Sequence, residues 1–244
     1  MFRPPPLAFG LRFRLLALGG ALTLLPVQAQ DLEIQPEPKA SISDSTLTAY
    51  GPIGKWLIAP DGQPANWQGD EVAERALREP INVVLIDHLS HTPQEAQTRL
   101  DEAMKAAGYP ARSGHGPDDI SGYSGLIGDE FYPQQPADPD EAFSDSAWWR
   151  ANNHGRFFGP APLSGGGYLW IGAFGREDFE VISAMHHPYN SFAVAREDIS
   201  ARLDEEGTFK SAGAVFLDNT LNTSSLTTDD HDGTAALLIT GKER

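Results

Sequence analysis

Hydrophobic positions along the chain gather into a few short runs, parted by long polar stretches rich in Gly, Pro and Asp. Residues 81–87 (Ile-Asn-Val-Val-Leu-Ile-Asp) form a β-branched run suited to a buried strand. Thr92-Pro93 then supplies a helix cap and a first-turn proline; Leu100, Met104 and Ala107 fall on one face, and Gly108 closes the helix. From 110 to 145 no period is visible, and a loop that long inside a domain often carries function. Residues 167–174 read as a second strand and 182–189 as a weaker third. A helix is expected over 192–206, stopped by Gly207, and strands over 209–217 and 234–240. This order predicts one α+β domain over 77–244, with a mixed or antiparallel sheet, two main helices and a long insert at about 110–160. A ferredoxin-like variant is the expected topology.

The N-terminal pattern differs in kind. Positive charge ends at Arg14, and an apolar run of 15–25 follows before Pro26. That is the length of a signal-peptide core and short for a membrane span of roughly 20 residues. Val27-Gln28-Ala29 offers the small residues a signal peptidase needs, so residues 1–29 are expected to be removed and the mature chain to begin at Gln30. Arg12 and Arg14 are separated by Phe13, so no twin-arginine signal is present. An exported protein follows, periplasmic or extracellular, with no stable membrane anchor after processing. Residues 30–76 read as an irregular extension, interrupted by Lys55-Trp56-Leu57-Ile58 and Trp67, which suit short strands or an arm packed on the domain.

Charge narrows the partners. The chain carries a formal −16, and loss of Arg3, Arg12 and Arg14 with the leader takes it to −19. Such a surface repels phosphate backbones and anionic lipid, so nucleic acid is excluded as an expected partner. A small molecule, an envelope component or another protein remains, and no oligomer signal is visible. There is no cysteine, which removes disulfides, thiolate metal sites and a thiol nucleophile.

The densest chemistry lies in 148–160. There Trp148, Trp149, Arg150, Asn153, His154 and Arg156 combine aromatic faces, guanidinium forks and an imidazole. Arginine suits carboxylate or phosphate, and the indoles suit a sugar ring, peptide or acyl chain. The same composition also fits a satellite hydrophobic cluster whose arginines neutralise nearby acids. On the ligand reading, 148–160 folds over the sheet so that His154, Arg156 and one of His186 or His187 share a cleft. No cofactor is required by any motif. A divalent metal such as zinc, or iron, could draw on His154, His186, His187, His231, Asp230 and Asp232, although no HExxH or HxH spacing is present. The run 228–233 fails as an EF-hand, because Thr228 and Ile239 would fill places that need carboxylates. It reads instead as an acidic turn, with Arg196 a candidate partner and, beside the residues of 148–160, a candidate ligand-binding residue. Gly165-Gly166-Gly167 precedes a strand and so lacks a phosphate cradle's context, and no Gly-x-Ser-x-Gly elbow exists.

Three places carry a family resemblance: the strand Tyr168-Leu169-Trp170-Ile171-Gly172-Ala173, the pair His186-His187 with Ala195-Arg196-Glu197-Asp198 opening a helix, and Asp232-Gly233 before the last strand. On these the second half resembles the C-terminal domain of LssY-type bacterial proteins. In that family an acidic residue closely follows the His pair, whereas here Pro188-Tyr189-Asn190-Ser191-Phe192 intervene. The resemblance implies an envelope location and supplies no reaction. Binding by an exported envelope domain is therefore the expected function, and a metal-assisted hydrolase with a histidine/aspartate site is the alternative.

Overall fold

Strands buried on both faces lose the alternation of apolar and polar residues, and the centre of this protein is built from such strands. A computed structural model of the chain describes residues 44–115, 122–180 and 187–240. The elements run β1 (Ser45–Thr48), β2 (Gly51–Gly54), β3 (Asn66–Val72), β4 (Arg75–Arg78), β5 (Val83–Asp87), α1 (Pro93–Ala106), β6 (Ala111–Arg112), β7 (Ser124–Ile127) and β8 (Glu130–Gln135). There follow β9 (Ala142–Ser144), β10 (Asn152–Pro162), β11 (Tyr168–Glu177), β12 (Tyr189–Ser191), α2 (Phe192–Glu206), β13 (Phe209–Phe216), β14 (Leu226–Thr227) and β15 (Thr234–Thr240). Among the described residues the protein is thus mostly β, with two helices.

The main sheet has the order β1-β2-β7-β8-β10-β11-β5-β15-β13, with β9 and β12 attached to β10 and β11. It is mixed: β11 runs antiparallel to β5 and β10, while β15 runs parallel to β5. A small sheet, β14-β4-β3, stands apart in the pairing. The main sheet curls until its ends nearly meet. Thr46 Oγ1 of β1 donates to Leu217 O, just past β13. The buried Asn219 amide donates to Lys55 O (3.0 Å) and Ile81 O (2.9 Å), and Lys55 pairs with Asp218 at 3.4 Å. Side chains rather than a backbone ladder close this barrel-like sheet.

Two cores result. On the outer face Val83, Leu85, Phe157, Tyr168, Trp170, Phe174 and Leu238 pack against Leu100, Met104, Ile199 and Leu203 of the helices. On the inner face Val84, Ile86, Phe158, Leu169, Ile171, Ala173 and Leu237 pack with Ile53, Leu57 and Ile127. Both helices begin on side-chain caps: Thr92 Oγ1 accepts from Glu95 N (3.2 Å), and Ser191 Oγ from Val194 N (2.9 Å). Asp230 adds to the second cap, accepting from Phe192 N (2.9 Å), Tyr189 Oη (2.8 Å) and Ser191 Oγ. The left-handed Gly207 ends α2 as the sequence implies.

Two expectations change. The expected irregular extension, 30–76, contains β1, β2, β3 and the start of β4 from residue 45 on. These strands are short and half-buried, so they have little hydrophobic period to read. Among its described residues the expected insert at 110–160 likewise carries five strands, β6 to β10. The leader, residues 30–43 of the extension and residues 182–186 of the expected third strand lie outside the described residues. Among the described residues no helix is long and apolar enough to cross a membrane.

Candidate metal centre

In an antiparallel pair, opposed residues point to the same face, and so do residues two apart on one strand. The β10–β11 register sets Asn152 opposite Glu177, His154 opposite Gly175 and Arg156 opposite Ala173. Ala173 belongs to the inner core, so Asn152, His154, Arg156 and Glu177 all face inward at one end of the sheet. His115, shortly after β6, joins them: its ring stacks on His154 with centroids 4.8 Å apart at 27°. One ligand atom each from His115, His154 and Glu177 lies within 4.8 Å of the others. Trp67 of β3 covers the group, 5.4 Å from the His154 ring. Gly175 makes room for it, since a Cβ there would sit 2.5 Å from the indole.

The hydrogen bonds fix the tautomers. The Asn152 amide nitrogen donates to two groups that can only accept, Arg150 O (2.9 Å) and Glu177 Oε1 (2.7 Å). Its oxygen is therefore the acceptor facing His154 Nδ1 at 3.1 Å, so Nδ1 carries the hydrogen and Nε2 the lone pair. A backed Nδ1–H with a free Nε2 is how proteins present imidazole to a metal. His115 Nε2 is buried and has no hydrogen-bond partner among the described residues. Burial, helped by Arg156 and His187, pushes His115 down to about 4. Burial, helped by His115, Arg156 and His187, holds His154 well below the usual range. Both rings are consequently neutral at pH 7 and able to ligate.

Arg156, only 6% exposed, holds the His115 segment by donating from Nη2 to His115 O at 2.8 Å. Its guanidinium lies 5.0 Å from the Tyr123 ring centre. Beside it is a cavity of about 10 Å³ touched by Leu57, Trp67, Glu79, His154, Arg156 and Gly175. That is room for about one water. Burial pushes the Glu79 carboxyl up to about 7, against the pull of Arg156 and Arg78.

The structure brings some of the expected residues together and separates others. His187 reaches the centre, with Nδ1 3.0 Å from Glu177 Oε1. Trp148 stands beside it, 5.9 Å from the His187 ring, while Trp149 and Arg150 are exposed. Asn153 is on the opposite face of β10, bonded to Asp145 (2.9 Å) and Asp198 (3.3 Å), and so is no part of the site. Arg196 is committed to Asp232 through Nη1 (2.6 Å) and Nη2 (3.1 Å). His231 is buried against Asn219 Oδ1 at 2.7 Å. His231 and Asp232 fall outside the group of donors that can share an ion, because each serves the turn before β15. His186 lies outside the described residues. Sequence reasoning missed His115, Glu177, Asn152, Glu79 and Trp67. The one available signal was the period of two along β10, which gives Asn152, His154 and Arg156 a common face.

The chain matches no family model, no curated protein and no solved structure.

Proposed function

We propose that this protein is an exported envelope domain that binds a divalent transition metal through His115, His154 and Glu177. The observation that carries this reading is the convergence of three donors from separate segments within 4.8 Å, one of them a buried imidazole nitrogen without a partner. A tetrahedral zinc sets its ligand atoms roughly 3.4 Å apart, so small side-chain rotations close the group around an ion. Two imidazoles, a carboxylate and no thiolate suit zinc, or iron in a facial arrangement. The adjoining cavity of about 10 Å³ favours holding the ion over turning over an organic substrate, which needs hundreds of Å³.

Metal analysis of tag-free protein tests this. About one equivalent of zinc is expected, lost in His154→Ala and Glu177→Ala variants that keep their circular dichroism. Folded wild type that takes up no zinc at micromolar concentration would refute it. The second reading is metal-assisted hydrolysis, favoured by Glu79 beside the cavity, where it could accept a proton from a bound water. It requires an open coordination position and turnover of an ester or phosphoester.

Envelope location belongs to the same proposal, supported by the leader pattern and by the likeness to LssY-type C-terminal domains. So does a ferredoxin-like ancestry of the sheet. The succession β5-α1-β10-β11-α2 and the neighbours β10-β11-β5 support it, while the parallel β5–β15 pairing departs from it.

A further inference from the structure

We infer that Glu177 meets the ion through Oε2 alone, because two N–H groups hold Oε1, and that His187 is the positioning residue supplying one of them. The inference rests on the metal reading above and goes further by deciding how the carboxylate binds and what fixes it there.

The first argument counts lone pairs. A carboxylate oxygen accepts and has two of them. Asn152 Nδ2 donates to Glu177 Oε1 at 2.7 Å, and His187 Nδ1 faces the same oxygen at 3.0 Å, so Nδ1 carries the hydrogen. Two donors fill Oε1, and an ion must come to the other oxygen. Oε2 lies on the side of the His154 ring, 3.9 Å from its Nδ1. The same bond defines what His187 does. With Nδ1 turned to the carboxylate, its second nitrogen points away from an ion held there, and His187 is outside the group formed by His115, His154 and Glu177. It acts on the ion through Glu177.

The second is placement. Asp178 N, next to Glu177, donates to Pro188 O at 2.9 Å, and Tyr189 pairs with Glu177 in the β11–β12 ladder. The backbone just after His187 is therefore tied to the strand end that bears the carboxylate. The His187 ring packs against Phe179 at 5.3 Å and Trp148 at 5.9 Å. The Trp148 indole in turn lies over Gly114, the residue before His115, where a Cβ would meet it at 2.5 Å. One aromatic wall thus steadies the His187 ring and the segment that carries His115.

The third is exposure, which rises from 7% for the Glu177 side chain to 25% for His187. His187 stands between the carboxylate and water, and its N–H occupies a lone pair that solvent would otherwise reach. Binding through one oxygen keeps the ligand count low, which suits zinc with its four positions over ions that take six or more.

Infrared difference spectra of tag-free protein with and without zinc test this, because the splitting of the carboxylate stretches separates one-oxygen from two-oxygen binding. Glu177→Gln identifies the bands. Wild type should show the one-oxygen pattern. His187→Ala should lower zinc affinity about 10–100-fold, as loss of an outer-shell partner does, and shift the splitting toward the two-oxygen pattern as Oε1 is released. His187→Asn, whose amide keeps an N–H for Oε1, should restore both. That rescue separates positioning from a structural role, which would alter folding and leave the bands in place. If His187→Ala fails to fold, wild type and His187→Asn still decide, since both should show the one-oxygen pattern. A two-oxygen pattern in wild type overturns the inference while sparing the metal reading. So does a folded His187→Ala with unchanged affinity and bands. Wild type that takes up no zinc overturns both.

Discussion

Replacing Asn219 by alanine should lower stability by about 3 kcal/mol, a figure built from three hydrogen bonds. Its amide is fully buried where the two ends of the main sheet meet. Nδ2 donates to Lys55 O (3.0 Å) and Ile81 O (2.9 Å), while Oδ1 faces His231 Nε2 at 2.7 Å. Since the donors face carbonyls, the His231 nitrogen must be the one that carries hydrogen. Lys55 O keeps a second partner in Ile81 N at 3.0 Å, so its loss is mild. Ile81 O gives up a bond worth about 1 kcal/mol, and the His231 N–H is left buried without an acceptor at a cost of about 1–3 kcal/mol. The sum is about 3 kcal/mol. In urea, with a slope of about 2–3 kcal/mol/M, the midpoint should fall by roughly 1–1.5 M. In a thermal scan the melting temperature should drop by about 6–12 °C. A midpoint shift below about 0.3 M would show that water or a relaxed backbone replaces the amide, and the account of the seam would be wrong.

Acid should weaken the fold between pH 6.5 and 4. Burial pushes His231 from 6.5 down to about 4, so the unfolded chain binds the proton first, and stability present above pH 6.5 is lost as pH falls toward 4. The loss from this group is about 3 kcal/mol, and His231→Gln should flatten that part of a stability–pH curve measured by urea titration. Asp232→Ala should cost about 1 kcal/mol in chemical denaturation, because the carboxylate braces Thr234 N at 2.9 Å and pairs with Arg196; an unchanged midpoint would mean that solvent does the same job. Asn152→Ala should lower zinc affinity about 10–100-fold by freeing both His154 and Glu177, as read by competition with a chelator of known affinity; equal affinities would sink the tautomer argument. Gly175→Ala should push Trp67 off the centre and red-shift its emission, with Trp67→Phe as the reference spectrum.

What the sequence disclosed followed the strength of its local signals. The helix over 192–206 is marked by Gly207, and the strand over 234–240 by an apolar run after Gly233; both are observed with those limits. Helix α1 needed only Thr92, Pro93 and the Leu100–Met104 spacing. β10 was hidden because its inner face is polar at one end, with Asn152, His154 and Arg156, while Phe157 on its outer face looks toward the helices. That inverts the usual alternation, so the segment reads as a polar-aromatic loop. His154, Arg156 and His187 were legible as candidate chemistry by residue type. Glu177 was not, because one acid at the end of an apolar strand looks like a boundary. His115 was not, because it sits between glycines, and only the β6–β9–β10 pairing carries it to His154. Arg196, His231 and Asp232 were drawn into the expected site by composition, yet each already has partners near β15.

A sheet whose ends are joined by side chains has a joint without ladder cooperativity. Each bond across β1 and the end of β13 can break without unzipping its neighbours, whereas β11, β5 and β15 are held by continuous ladders and two cores. Hydrogen exchange should therefore sort the amides by strand. Those of β1 should exchange through local opening, at low free energy and with little dependence on denaturant, whereas residues 213–216 are laddered to β15. Those of β5 and β11 should exchange only when the whole domain unfolds. The joint is then the first place where the native ensemble breathes, and it lies away from β11, which carries Glu177.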